Sequence, residues 1–269
     1  SVADAAAVLT VLAGYDERDP ATTEAVAHDY VAYVDADGLR GARIGVATGL
    51  FGFSRHADRV ANEAVELMRD AGAIMIDVPG LSVERELIDA GREIKLHEFK
   101  AGLNSYLLAR TEGSPRTLAD LIWFNEKHAD TELQHFGQEL LAMAEASGPL
   151  TTQVYLDAVA TVDRLARVEG LDRFLTDHNL DAIAAPTGAP ATPIDLINGD
   201  ARMGGTATLA ATAGYPLISV PASSVAGMPV GVTFMGRAWS EPTLIKLASG
   251  FESQRGQRPK PTLSPVSGG

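Results

Sequence analysis

The sequence has 269 residues, of which 46% are hydrophobic, enough apolar material for one large α/β domain or two small ones. The formal net charge of −13 opposes contact with phosphate backbones and anionic lipid headgroups, so we expect neither nucleic acid nor membrane as a partner. The absence of cysteine excludes disulfides, thiolate nucleophiles and cysteine-bound metals.

The residues shown contain neither the charged start and apolar run of a signal peptide nor an apolar run of about 18 residues. We therefore expect a soluble protein and favour the cytoplasm over secretion. A chain that opens on helix-forming residues without Met is typical of a cut or processed product.

The first helix is predicted to begin at Ser1, which can accept from exposed backbone N–H groups, and to end at Gly14, which tolerates a left-handed conformation. Apolar periodicity then predicts a strand over 42–47, a helix over 58–71 and a strand over 73–78. A strand–helix–strand unit of this kind builds a parallel sheet.

The second half of the chain alternates helical and extended patterns. Residues from about 83 to 174 are mostly helical in pattern and predict a cap over one side of the sheet. The later elements are a strand over 180–185, a helix over 206–213, a hairpin of strands 217–221 and 230–235 joined by a Gly227-Met228-Pro229 turn, a helix over 241–251 and a mobile tail over 259–269.

Five segments occur in the order and spacing found in the closing section of amidase-signature enzymes. They are Asp181-Ala-Ile-Ala-Ala-Pro-Thr187, Ala213-Gly-Tyr-Pro216, Ser219-Val-Pro221, Met228-Pro-Val-Gly-Val-Thr-Phe-Met-Gly236 and the stretch 241–251. The opening residues from Ser1 to Gly14 are similar to the helix that follows the family's catalytic region. Over essentially its whole length, the chain therefore resembles the C-terminal part of an amidase-signature hydrolase.

Three further segments look most like the peptide-amidase branch of that family: 98–106, 124–128 and 136–139. The resemblance implies an α/β fold, with a mixed sheet covered by helices, in a single domain over 1–258 that includes the helical cap at about 83–174. It also implies hydrolysis of a carboxamide, such as a small amide or a peptide amide, through an acyl-enzyme on a serine. In the family a lysine takes the proton through a second serine, and a Gly/Ser-rich segment stabilises the oxyanion.

The chain departs from the family where the chemistry is done. It has no Gly-Ser-Ser-Gly-Gly-Ser-like segment, and Ser223-Ser224 lacks the glycines that would aim several N–H groups at one point. We assign no catalytic residue, because none of the lysines lies in a matching pattern. The lysines are Lys95, Lys100, Lys127, Lys246 and Lys260.

We therefore expect the triad upstream of Ser1, in a missing N-terminal part of the same enzyme, and expect this chain alone to be inactive. The alternative is a catalytically silent module with an amidase-like fold that binds a small molecule or a protein. A sheet edge and an apolar face left exposed would favour the first hypothesis, because such surfaces need covering. A chain that truly begins at Ser1 is predicted to self-associate, as a homo-oligomer, or to have lower stability.

Seven residues are candidates for substrate binding. Pro186 and Thr187 follow a strand, where α/β sheets open onto ligand crevices, although a simple turn has the same sequence. The aromatic residues could form an apolar wall or pack within the cap, and the amides could bind a peptide-like group or face solvent. The remaining candidates are Trp123, Phe124, Asn125, Phe136 and Gln138.

One histidine cluster is worth considering as a metal site. A spacing of seven predicts His128 and His135 on one helix face, with Asp130 between them, but two turns is too far for both to bind one ion. The chain also lacks a GxGxxG motif after a strand, a GKS or GKT sequence and a GxSxG elbow. We assign no metal and no cofactor.

Overall fold

The computed structural model describes residues 1–110, 113, 115–201 and 203–256. These residues form two compact units. The first comprises Ser1–Ser82, Phe174–Ala191 and the chain from Met203 onward, and the second comprises Val83–Arg173 and the segment that begins at Thr192. The tail predicted to be mobile, 259–269, lies outside the described residues.

A mixed five-stranded sheet organises the first unit, as the resemblance implies. The strand order is β2-β1-β3-β5-β4; β1 is parallel to β2 and β3, whereas β5 is antiparallel to β3 and β4. The strands are β1 (Arg43–Val46), β2 (Ile74–Asp77), β3 (Ala182–Pro186), β4 (Leu217–Val225) and β5 (Met228–Met235). The predicted parallel strand–helix–strand unit is confirmed.

Four α-helices of the described residues lie wholly within the first unit. Helix α2 lies between β1 and β2 and buries one apolar stripe, as its periodicity predicts. The main core forms where one face of the sheet meets α1, α2 and α10, and it includes Ile44, Phe234 and Phe251. The helices are α1 (Val2–Leu12), α2 (Arg55–Asp70), α9 (Ala207–Ala213) and α10 (Glu241–Arg255).

The second unit is helical. Helix α3 contacts both α6 and α7, and its Lys100 Nζ donates to the backbone carbonyls of Glu145 and Ser147. The helices are α3 (Arg85–Leu108), α4 (Leu118–Lys127), α5 (Ala129–Glu132), α6 (Glu139–Ala146) and α7 (Gln153–Val162). A π-helical stretch, Asp163–Leu171, follows α7, and α8 (Asp172–Asp177) leads the chain back to the first unit. No described helix combines the length and the apolar character needed to cross a bilayer.

The hairpin turn differs from the prediction. Met228 and Pro229 lie in β5, and the turn is made by Ala226 and Gly227, both with positive φ, because a two-residue turn of that hand fits the twist of the strands. Pro229 can lie within β5 although proline has no backbone N–H to donate. Strand β3 pairs with β5 only from Val232 to Met235, so no hydrogen bond to β3 is lost at Pro229.

Candidate functional site

Thr187 follows the last residue of β3, as predicted, whereas Pro186, predicted to follow the strand, is the last residue of the strand and pairs with Val232. Its backbone N–H donates to the carbonyl of Gly231 at 3.0 Å, and its own carbonyl accepts from the N–H of Thr206 at 3.3 Å. Pro186 is buried and its carbonyl accepts from Thr206 Oγ1 at 2.7 Å, whereas the Thr187 side chain is only half-buried. The end of β3 is therefore held rigidly and presents a threonine hydroxyl.

Three hydroxyl groups form a row across neighbouring strands, which we call the hydroxyl row: Ser219 on β4, Thr233 on β5 and Thr187. The Oγ1 atom of Thr233 lies 2.7 Å from Thr187 Oγ1 and 2.7 Å from Ser219 Oγ. Thr233 is only 1% exposed, while Ser219 is exposed. Because each hydroxyl can donate one hydrogen bond and accept two, the row keeps capacity for a ligand at its ends.

Glycine makes room beside the row. A Cβ at Gly231 would lie 2.9 Å from Thr187 Oγ1 and 3.0 Å from the carbonyl of Val220, closer than real Cβ atoms approach without the neighbours moving. A Cβ at Gly205 would lie 3.1 Å from the Thr187 carbonyl. The row itself is uncharged, which suits hydrogen bonding to a neutral amide.

Replacing Thr233 with valine should lower the free energy of unfolding by about 1–3 kcal/mol, because both its hydrogen bonds are lost and the half-buried Thr187 hydroxyl loses a partner. Urea unfolding followed by circular dichroism measures the change. The matched control is Thr208→Val at an exposed position of α9, which should alter stability by less than about 0.5 kcal/mol. Equal effects of the two substitutions would contradict the prediction.

The predicted aromatic residues of the second unit are exposed. Trp123 is 59% exposed and Phe136 is 67% exposed, and Phe124 lies against His128 with ring centroids 4.2 Å apart. The Lys127 ammonium lies 4.9 Å from the Trp123 ring centroid. Packing in the interior of the second unit therefore does not account for these side chains, which present apolar surface instead.

The two predicted amides bind each other. Asn125 Nδ2 donates to Gln138 Oε1 at 3.1 Å, and Gln138 Nε2 donates to the carbonyl of Ile122 at 3.2 Å. This pair ties α4 to the residue before α6, and so joins residues on both sides of Trp123 to a residue just after Phe136. The mutual contact of these amides was not predicted from the sequence, which left substrate binding and solvent exposure as the alternatives.

The start of α4 is capped reciprocally. Thr117 Oγ1 accepts from the N–H of Asp120, and the Asp120 carboxylate accepts from the N–H groups of Thr117 and Arg116. The hydrogen bond from the Arg116 backbone, followed by the one from the Thr117 side chain, lowers the pKa of the Asp120 carboxyl. The cap therefore orients the helix that carries the exposed Trp123.

The prediction that His128 and His135 share a helix face is wrong. Helix α5 ends at Glu132, and His135 lies in the bend that follows, because the chain leaves helical geometry before Gly137. His128 lies between α4 and α5, with Nδ1 2.8 Å from the carbonyl of Phe124. Among the described residues, no group of three or more His, Asp and Glu side chains is placed to hold a metal ion.

Sequence reasoning missed Thr233, Thr206 and Ser219. Each is a lone hydroxyl residue within or beside an apolar stretch, which signals only that its hydroxyl must find a hydrogen-bond partner on burial. The contacts of Thr233 and Ser219 depend on the register of neighbouring strands, and those of Thr206 depend on the position of the residue that precedes α9.

A protein-family model described as Amidase matches residues 1–245. The chain belongs to the amidase family. A probable amidase of Arabidopsis thaliana is 32% identical over 262 residues, which cover 94% of this chain and 46% of that protein. A glutamyl-tRNA(Gln) amidotransferase polypeptide of Chloroflexus aurantiacus is 30% identical over 265 residues, covering 94% of this chain and 52% of that polypeptide.

The solved structures that resemble this amidase chain include peptide amidases. The native peptide amidase of Stenotrophomonas maltophilia superposes with a TM-score of 0.87 at 41% identity and covers 97% of this chain and 53% of its own. A peptide amidase bound to the competitive inhibitor chymostatin gives 0.89 at 43% identity, covering 98% and 54%. The chain therefore spans about half the length of the relatives that it matches.

Proposed function

We propose that this chain is the C-terminal portion of an amidohydrolase that acts on carboxamide C–N bonds, with peptide amides as the substrate class. The observation that carries the proposal is the family match over 1–245, together with similarity to peptide amidases about twice as long. The chain completes the fold and supplies surfaces that contact the substrate, while the Ser/Ser/Lys triad lies in the part that precedes it.

The surroundings of two of the described lysines, Lys100 and Lys246, support placing the triad elsewhere. Lys100 Nζ donates to two backbone carbonyls, and the hydroxyl of the nearby Ser147 donates to the carbonyl of Ala144 at 2.6 Å. A serine whose proton is directed at a carbonyl oxygen is not arranged to pass that proton to a lysine. Lys246 Nζ lies 3.9 Å from Asp35 Oδ2, which also favours a structural role.

In the proposed reaction, a serine oxygen of the preceding part attacks the carboxamide carbon, and the C–N bond breaks as the nitrogen takes a proton and leaves as ammonia. Water then cleaves the acyl-enzyme ester to give the carboxylate and restore the hydroxyl. The hydroxyl row of the first unit offers hydrogen bonds to an amide backbone. Taken by itself, the second unit offers apolar contact through its exposed aromatic residues.

Release of ammonia from a C-terminally amidated peptide tests the proposal. We expect release by the protein that includes the residues encoded ahead of Ser1 and none by the chain 1–269 assayed in parallel. Activity of the shorter chain would mean that a nucleophile lies within residues 1–269, and it would contradict the placement of the triad in the preceding part. If neither protein releases ammonia, the result would favour a binding module without catalysis.

Trp123→Ala in the active, longer protein tests the aromatic contact. We expect kcat/KM for an amidated peptide with a large apolar side chain to fall about tenfold, equivalent to ~1.4 kcal/mol of lost binding, mainly through KM. The control is Tyr106→Ala, which removes another exposed aromatic side chain of the same unit, 60% exposed on α3. A similar loss in both variants would assign the effect to stability or solubility rather than to substrate contact.

A further inference from the structure

Asp195 organises a turn in the exposed segment that begins at Thr192. Its Oδ1 accepts from the backbone N–H groups of Ile197 and Asn198, each at 2.9 Å, and its Oδ2 accepts from Asn198 Nδ2 at 2.9 Å. The Asp195 carbonyl accepts from the N–H of Gly199 at 3.1 Å. We call these hydrogen bonds the Asp195 clasp.

The clasp has a charged acceptor. The hydrogen bonds from the Asn198 backbone, the Asn198 side chain and the Ile197 backbone, in that order of size, lower the pKa of the Asp195 carboxyl. The carboxylate therefore stays ionised at neutral and alkaline pH. Hydrogen bonds to an ionised acceptor are stronger than those between neutral groups, so the clasp holds Asn198 although the segment is exposed.

Asn198 is the only asparagine in the sequence that a glycine follows. Asparagine is a thermolabile residue, because the backbone nitrogen of the next residue can attack its side-chain carbonyl carbon. Glycine has no Cβ to obstruct that attack, and Gly199 has a φ of 79°, which other residues rarely adopt. The other asparagines are Asn62, Asn104, Asn125 and Asn179, followed by Glu, Ser, Glu and Leu.

The reaction of this pair needs only water as a co-reactant. The Gly199 nitrogen loses its proton and bonds to Asn198 Cγ, the bond from Cγ to Nδ2 breaks, and Nδ2 takes a proton and leaves as ammonia. Water then adds to one of the two carbonyl carbons of the cyclic imide and breaks its bond to nitrogen. The product is aspartate or, with the backbone passing through Cγ, isoaspartate.

The Asp195 clasp opposes this attack in three ways. The Gly199 N–H that must lose its proton donates to the Asp195 carbonyl, and the Nδ2 group that must leave donates to the carboxylate. In addition, negative charge develops on the Asn198 side-chain oxygen during the attack, and the neighbouring carboxylate disfavours that charge. The clasp should therefore slow a reaction that the sequence alone favours.

We propose that Asn198 is a site of spontaneous deamidation whose rate is governed by the Asp195 clasp. The modification is one-way: a carboxylate replaces the Nδ2 donor and repels Asp195, so the clasp cannot re-form. The exposed apolar side chains of the turn then lose the fixed backbone that carries them; Ile194 is 82% exposed and Ile197 is 93% exposed. Only residues 195–199 take part, so the site does not depend on the proposed function.

Mass spectrometry of the chain 1–269 during incubation at mildly alkaline pH tests the proposal. Deamidation adds one dalton, and peptide mapping with an isoaspartate assay locates it. Asp195→Ala should deamidate at Asn198 about tenfold faster than the unchanged chain, because the clasp is lost. The matched control is Asp200→Ala, which removes an exposed carboxylate beside Gly199 that makes none of the clasp's hydrogen bonds. Equal rates for the unchanged chain and both variants would overturn the proposal.

Unfolding in urea separates the clasp from the local sequence. The unfolded chain has no clasp, so the unchanged chain and Asp195→Ala should deamidate at similar rates in strong urea, and both faster than the folded unchanged chain. A folded chain that deamidates at Asn198 as fast as the unfolded one would contradict control by the clasp. Asn198→Gln should remove the mass gain from this segment, because a glutamine would have to close a larger ring.

The stoichiometry of ammonia distinguishes deamidation from hydrolysis of a substrate. Deamidation at Asn198 releases one ammonia per chain and then stops, whereas a hydrolase releases ammonia at every turnover. Slow release by 1–269 that ends at one ammonia per chain and is absent from Asn198→Gln supports the modification and says nothing against the proposed function. Continued release by the longer protein carrying Asn198→Gln would support the proposed function alone.

Discussion

Replacing Phe251 with alanine should lower the free energy of unfolding by about 3–5 kcal/mol. Phe251 on α10 is fully buried and lies edge-on to the fully buried Phe234 of β5, with ring centroids 6.1 Å apart and an interplanar angle of 66°. The truncation removes apolar contact and leaves a cavity where the sheet meets the helix that covers it. Urea unfolding measured by circular dichroism gives the change.

The control for Phe251 is Tyr15→Ala in the same unit, because Tyr15 is aromatic but 65% exposed. We expect it to change stability by less than about 0.5 kcal/mol. A loss below about 1 kcal/mol for Phe251→Ala would mean that α10 does not pack on the sheet as described.

Replacing Gly250 with alanine should destabilise the protein by about 1–3 kcal/mol, although alanine normally favours a helix. Gly250 is buried on α10, where a Cβ would lie 2.8 Å from the backbone nitrogen of Leu39. The neighbouring Ser249 holds the turn before β1, because its Oγ accepts from the N–H of Asp35 at 2.9 Å and donates to the carbonyl of Asp35 at 3.1 Å. The added methyl must push this turn away from the helix and strain those hydrogen bonds.

Gly102→Ala is the matched control for Gly250. It also lies within a helix, α3, but a Cβ there meets nothing within 4 Å, so alanine should stabilise the protein by about 0.5–1 kcal/mol. The two substitutions therefore have opposite predicted signs in the same urea assay. Stabilisation by Gly250→Ala would show that the turn at Asp35 can move without lowering the free energy of unfolding.

The sequence predicted the sheet better than the site. The β1–α2–β2 unit follows from periodicity, since apolar residues recur at helical spacing in α2 and continuously in the flanking strands. The mixed sheet could be predicted only from the resemblance, because the antiparallel pairing of β3 with β5 joins segments far apart in the chain.

The site depends on geometry that no local pattern contains. The contact of Thr233 with Thr187 requires the register of β5 against the end of β3, and the amide pair of Asn125 and Gln138 requires the bend after α5. The bend itself has a weak signal, a single Gly137, and for this reason the spacing alone predicts His135 on a helix. The position of Thr187 was predictable because a proline marked the end of its strand.

The insertion of the second unit between β2 and β3 bears on how the protein folds. Strands β1 and β3 lie side by side, and the N–H of Arg43 donates to Asp181 Oδ2 across 138 residues of chain. Closing so long a loop of flexible chain is slow and entropically unfavourable, whereas a loop already condensed into helices has much nearer ends. We therefore expect the helices of the second unit to form first and the central pair of strands to close afterwards.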